Sequence, residues 1–340
     1  MKLSSKVLLA MAISSITATA YAEPASQDFI PTTLAGTSAQ SEAKGFIEDF
    51  SLGGTTRNWY SHESKYRGGT FSYEKHGETR TDRNRTNWVQ GTILNASSGF
   101  TQGTVGVKTE VAVYNALVLD RSKRDIKGGS NRTLADSDGN AVDQWSKLGL
   151  ANVQFRVSNT TLTAGRQNFS SGIVDTIGNR ALPSSFEGVS FNSEEFSNLS
   201  FQGGIFDRVS PRTEQSLSKF RSEYGNGTQE TDKVSTLGVN YQPLKSLKTS
   251  FFAANVKDFW NQYYFGATHE LGDAQQLGLT TGFNYYKTVD EGKKEMGEID
   301  NDTFSLSLGL THQAHSLTFA YQQVNGNEYF DYLHETNGIY

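Results

Sequence analysis

Between Thr303 and Thr311 the chain repeats with a period of two. Phe304, Leu306, Leu308 and Leu310 fall on one side; Thr303, Ser305, Ser307, Gly309 and Thr311 fall on the other. That period belongs to an extended strand, whose successive side chains point to opposite faces, whereas a helix needs a period near 3.6. Leu277 to Tyr285, Leu317 to Gln322 and Leu199 to Ile205 repeat the pattern. From Gly45 onward such segments, each about ten residues long, are separated by Gly, Asn, Asp and Ser, and about thirteen strands are expected. The first three are expected over 46–60, 86–97 and 103–119, the last two over 302–312 and 315–324. Short connections (Ser97 to Gln102, Asn159, Pro243 to Leu247, Gln313-Ala314) alternate with long ones at 61–85, 120–145 and 210–233.

The N-terminus says which solvent these strands meet. Lys2 and Lys6 precede an apolar run that begins at Val7, and Ala20-Tyr21-Ala22 puts small residues at the two positions a signal peptidase reads. Residues 1–22 are expected to be a signal peptide cut after Ala22, 23–44 a mature N-terminal extension rich in Ser, Thr, Ala and Gln, and 45–340 the strand-forming region. Beyond residue 22 no stretch approaches the roughly 18 to 20 apolar residues of a spanning helix. Only helices and closed barrels satisfy the backbone within lipid, so an exported chain of this kind enters a membrane as an all-β, transmembrane, antiparallel up-and-down β-barrel. With no Cys, disulfides and thiolate metal sites are excluded, and a net charge of -5 gives no reason to invoke nucleic acid. Neither a cofactor nor a metal is expected.

Aromatics gather at strand ends: Trp59-Tyr60, Trp88, Trp145, Phe259-Trp260, Tyr263-Tyr264 and Tyr285-Tyr286. Such residues form girdles where lipid meets water. A secreted β-sandwich binding module also alternates and stands as a second reading. A barrel hydrolase stands as a third, but His312 and His315 are expected on opposite faces or in a turn, and no Ser-His set is marked. An enzyme is therefore not expected.

Several segments resemble the OprD family of substrate-selective outer-membrane porins. Gly45 to Asp49 with Arg57-Asn58-Trp59-Tyr60 looks like that family's first strand. Ser98-Gly99-Phe100-Thr101-Gln102-Gly103-Thr104-Val105-Gly106 matches its second hairpin, and Asn179-Arg180-Ala181-Leu182-Pro183 is similar to a segment of its inward loop. Gln262-Tyr263-Tyr264, Leu317 to Val324 and Phe330-Asp331-Tyr332 also fit. The resemblance implies a barrel of about 18 strands in the outer membrane of a Gram-negative bacterium, a homotrimer, and a narrow pore. It implies uptake of small carboxylate-bearing solutes (amino acids, peptides, aromatic acids) past a row of lumen arginines. A chitooligosaccharide-type porin, which relies on aromatic stacking, is the near alternative.

Alternation places Arg57 on the polar face of the first strand and Arg156 on that of the fourth. An Arg facing mid-bilayer lipid would cost about 2–4 kcal/mol, so both are expected in the lumen, where guanidinium groups pair with carboxylates. Arg180 is the candidate for the constriction, and Asp331 the candidate partner for the amino group of a zwitterion. The run Arg80 to Arg85 is expected in an external loop that meets lipopolysaccharide phosphates. Since single-chain bacterial barrels have even strand numbers, an odd count leads to the expectation that 45–340 is an incomplete barrel, with about five strands lying beyond Tyr340.

Overall fold

The computed structural model describes residues 38–75, 78–120, 142–225 and 228–336. Its strands are β1 (Ser51–Ser64), β2 (Phe71–Lys75), β3 (Glu78–Asp82), β4 (Asn84–Ser97) and β5 (Gly106–Asp120). They continue as β6 (Gln144–Val157), β7 (Thr160–Gln167), β8 (Ser185–Phe196), β9 (Leu199–Ser210) and β10 (Val234–Leu244). The last are β11 (Leu247–Val256), β12 (Trp260–Asp273), β13 (Leu277–Asp290), β14 (Asp300–His312) and β15 (His315–Gly326). All but β2 and β3 form one 13-stranded sheet in chain order, with β1 and β15 at its edges. Every neighbouring pair is antiparallel, from β1·β4 through β14·β15. A single meander in place of two packed sheets rules out the sandwich.

The two faces of this sheet have opposite chemistry. On the outer face Leu306, Leu308 and Leu310 stay 40–44% exposed, flanked on β15 by Tyr321, Phe319 and Leu317. In water this row would be an uncovered apolar patch; against hydrocarbon it is ordinary burial. On the inner face the wall alternates buried residues: Val89 in β4, Ala112, Tyr114 and Ala116 in β5, Trp145 and Leu150 in β6.

Adjacent aromatics therefore divide between the faces, which corrects the girdle reading. Tyr60 and Trp88 face outward and pair edge to face at 6.4 Å. Trp145, Phe259, Trp260 and Tyr286 are at most 4% exposed and belong to packing on the inner side. A pair such as Tyr285-Tyr286 must split, because consecutive side chains in a strand cannot share a face.

Most strand boundaries fall near the expected ones, and the clearest differences lie in the first part of the wall. The first strand begins at Ser51, not 46: Asp49 N–H bonds to Gly45 O and Phe50 N–H to Ile47 O, so 45–50 forms turns that dock on the next connection through Gly99 N–H to Phe46 O at 2.9 Å. The fifth strand begins at Gly106, three residues later than expected. The long connection 61–85 carries the separate β2–β3 hairpin. Tight turns occur where expected, with Ser158 and Gln313 at positive φ (52° each), as two-residue hairpins demand. Residues 1–37, which include the expected signal peptide and most of the extension, lie outside the described residues. Of the extension, Gln40 is 4% exposed and its Nε2 donates to Thr101 O at 2.9 Å and Gly103 O at 3.0 Å.

The core lies inside the curve of the wall, under segments that fold inward. The connection 168–184 contributes Phe169, Ile173 and Val174, the connection 211–233 contributes Phe220, and the segment after β15 contributes Leu333, all against wall residues Phe186, Phe206, Phe252 and Trp260. Leu182 joins a second cluster with Val89, Tyr114 and Trp145.

Close approach is made possible by missing side chains. A Cβ on Gly91 would lie 2.4 Å from the Ala181 carbonyl oxygen, and one on Gly149 would lie 2.3 Å from the Tyr114 ring. Gly91→Val should therefore lift the 168–184 segment off the wall, at the roughly 1–3 kcal/mol typical of overpacking. Urea unfolding together with faster protease cleavage within 168–184 would report it. The outer face gives a second expectation. Leu308→Arg should destabilise the folded protein in lipid vesicles by about 2–4 kcal/mol, whereas Ser307→Arg on the inner face should cost far less.

Candidate functional site: the inward segments and their basic cluster

The basic residues inside the wall are held by different parts of the inward segments. Arg57 lies in β1 opposite Gly91. Its Nη1 donates to the Arg180 carbonyl at 2.8 Å and to the Gly178 carbonyl, so it grips the backbone of the 168–184 segment. Arg180 spreads its guanidinium over the Trp59 ring, 5.3 Å from the centroid. Its Nε is buried and without a hydrogen-bond partner among the described residues. Burial, then the charge of Arg212, pushes the Arg180 pKa down. An arginine stays charged regardless, so the group is held at an energetic cost that an anion would relieve.

Arg212 and Lys147, which the sequence did not single out, complete the set. Arg212 is buried; its Nε donates to Glu335 Oε2 at 2.7 Å and its Nη1 to Asn179 Oδ1 at 2.5 Å. Lys147, 8% exposed on the inner face of β6, donates to the carbonyls of Pro211 and of Glu214, the latter at 2.9 Å. Arg180 and Arg212 line one small crevice with Trp59 and Thr213. A groove of about 510 Å³ lies elsewhere, on the outer face beside Leu162, Phe191, Ile205 and Tyr263, and holds none of this chemistry.

The remaining candidates lie apart from Arg180. Arg156 faces inward, but at the end of the wall that carries the short turns. There its Nε donates to Gln40 Oε1 at 3.0 Å and its guanidinium covers the Phe100 ring at 3.8 Å. Asp331 is 6% exposed and accepts N–H bonds from Tyr224 (3.1 Å), Gly225 (3.1 Å) and Tyr332 (2.8 Å). Burial pushes its pKa up, although these bonds pull the other way. Its carboxylate is thus used to join the segment after β15 to the 211–233 connection. The run from Arg80 also divides: Arg80 pairs with Glu78 at the surface, but Arg85 turns in, 11% exposed, to bond Glu63 at 2.7 Å and cover the Phe71 ring. His312 and His315 are the cross-strand pair flanking the β14–β15 turn, and so share a face instead of opposing.

Glu335 and His334 are the residues most hidden from sequence reasoning. Glu335 is 4% exposed and paired with a residue 123 positions away. The only available signal was an acidic and an imidazole group side by side in a segment expected to be an open loop.

Known proteins share this architecture. The sequence profile of the family described as outer membrane porin, OprD family, matches residues 44–340. Porin D of Pseudomonas aeruginosa is 33% identical over 297 residues, covering 87% of this chain and 63% of that protein. The porin-like protein GalP of Pseudomonas putida is 29% identical and covers 79% of this chain and 63% of its own length. Among solved structures, P. aeruginosa OccD3 (OpdP) is 43% identical with a TM-score of 0.73, over 87% of this chain and 62% of its own. P. aeruginosa OpdK, solved with vanillate, is 25% identical with a TM-score of 0.74, over 86% of this chain and 72% of its own. The chain thus spans less than two thirds of the length of the curated relatives it matches. The inward-folded segments on an antiparallel wall, and a family match over nearly all the described residues, lead to one assignment: this chain belongs to the OprD family of outer membrane porins.

Proposed function

We propose that the chain supplies the wall and constriction of a diffusion channel for small carboxylate-bearing solutes. Arg180 is the group that meets the solute at the narrowest point. The observation that carries this reading is its buried, unpartnered Nε beside Arg212, with the guanidinium already oriented on Trp59. A planar guanidinium whose Nε–H is unused, in a low-dielectric lumen, suits a carboxylate. Arg57 acts by fixing the segment that presents Arg180. Arg156 lines the periplasmic exit, and Asp331 shapes the entrance by ordering Tyr224 and Gly225. The vanillate held by OpdK, an aromatic carboxylate, fits the same chemistry. Lipid and lipopolysaccharide surround the wall, and a homotrimer is the assembly this reading carries.

A chitooligosaccharide route has one observation in its favour. Tyr224, Tyr329 and Tyr332 cluster with ring centroids 5.5–6.1 Å apart, and the first two remain about half exposed. Current block by a sugar oligomer, with none by carboxylates, would select it.

Two outcomes are expected. N-terminal sequencing of protein from the outer-membrane fraction should begin at Glu23; an intact residue 1 or a soluble periplasmic product would reject the export reading. In planar bilayers, Arg180→Ala should move the reversal potential away from anion preference and weaken block by aromatic carboxylates about tenfold, the worth of one charge-assisted hydrogen bond. Unchanged selectivity and block would remove Arg180 from the constriction.

A further inference from the structure

One carboxylate ties together the three segments that fill the lumen. Glu335 Oε2 accepts from the Arg212 backbone N–H at 2.9 Å and from Arg212 Nε at 2.7 Å, and Oε1 lies 3.1 Å from His334 Nε2. Its backbone carbonyl accepts from Ser184 Oγ at 2.8 Å, and that hydroxyl in turn takes the Ile177 N–H at 3.0 Å. The next residue, Thr336, bridges to Thr176. Arg212 reaches onward to Asn179, the neighbour of Arg180. On the far side, His334 Nδ1 meets Glu223 Oε2 at 2.5 Å and its N–H bonds the Arg221 carbonyl at 2.8 Å. The 168–184 segment, the 211–233 connection and the segment after β15 therefore converge on Glu335.

A carboxylate buried this deeply persists only with charged partners, and removing it strands the partners as well. Deleting the negative charge would leave Arg212 and His334 as adjacent cations with Arg180 nearby, and would break the side-chain link between the 211–233 connection and the segment after β15. We propose that Glu335 is a positioning residue for the constriction: by clamping Arg212 and His334 it holds the segment carrying Arg180 in place and keeps the bore fixed. The proposal rests on the reading of Arg180 given above.

The charges around the joint make it sensitive to alkali. Burial alone would push His334 down, but its hydrogen bonds to Glu223 and Glu335, and their charges, outweigh burial and bring it up to about 9. Glu335 is held below the usual carboxylate range: burial opposes ionisation, but the His334 bond and the Arg212 charge win. Other charges reach the site from every side: Lys147 on the wall acts on Glu335, Arg180 on the inward segment acts with Arg212, and Glu63 and Arg85 act on Arg180. Asp331 lies on the same segment as His334. Since the folded pKa of His334 lies above its ordinary 6.5, its contribution is complete below that value and is lost as pH rises through about 9. A neutral imidazole donates through one nitrogen only, so it cannot bond both carboxylates at once.

The test uses the channel purified from its native outer membrane, recorded in planar bilayers, with E335Q, H334Q and R180A. The unmodified channel should be quiet at neutral pH and gain subconductance transitions, about tenfold in frequency, as pH passes about 9. E335Q should show those transitions at all pH, and H334Q should show them without any pH step. If E335Q fails the heat-modifiable mobility test for folding, H334Q decides, since its side chain is 22% exposed and its loss leaves the Arg212 pair in place. A steady E335Q or H334Q current, or one altered only in anion preference, overturns the clamp. R180A separates the two ideas: unchanged selectivity with a noisy E335Q would leave the clamp standing and sink the arginine constriction, and the reverse pattern would do the opposite.

Discussion

Inside lipid no water is available to satisfy a backbone N–H or C=O, and everything else in this protein follows from how the chain meets that condition. An antiparallel meander pairs each wall strand with its neighbours in the sheet order, so the backbone groups are satisfied strand by strand. The pairing fixes side-chain direction at a period of two. Leu306, Leu308 and Leu310 then have to face out, and Thr303, Ser305 and Ser307 have to face in. The greasy outer surface and the wet interior are one consequence, not two designs.

A wall this wide leaves more interior than its own side chains can fill. The chain fills it with three inward segments, whose Phe169, Phe220 and Leu333 pack on Phe186, Phe206 and Phe252. Irregular backbone is tolerated at this depth only where it lines a cavity and finds polar partners. Here the partners are wall and loop cations: Arg57 takes the carbonyls of 178 and 180, Lys147 those of 211 and 214. The basic residues thus hold the loops in position.

The strands were legible because lipid enforces the alternation. Thr303 to Thr311 could be assigned from nine residues, and the turns at Asn159 and Gln313 from their composition. Where the pattern was misread, a second constraint had replaced the first. Residues 46–50 look extended but turn to dock on the 98–105 connection, a contact no local pattern displays. Trp145, Trp260 and Tyr286 carry the composition of a girdle, yet face a lumen packed with loop side chains. Arg57 and Arg180 could be singled out because each sits in a recognisable segment. Arg212 and Glu335 could not: their pairing spans 123 positions and exists only once both segments fold inward. The surroundings of Asp331 are not legible in the sequence either, since the three amides that surround it come from backbone.

The wall depends most on the strict division of each of its strands between lipid and water. This sequence contains no cysteine, so single cysteines can be placed through β14 without background, from Thr303 to Thr311. Reaction with a membrane-impermeant thiol reagent in vesicles should occur at 305, 307 and 309 and fail at 304, 306, 308 and 310. Uniform labelling, or labelling with a period near 3.6, would contradict a lipid-facing wall and the lumen built behind it.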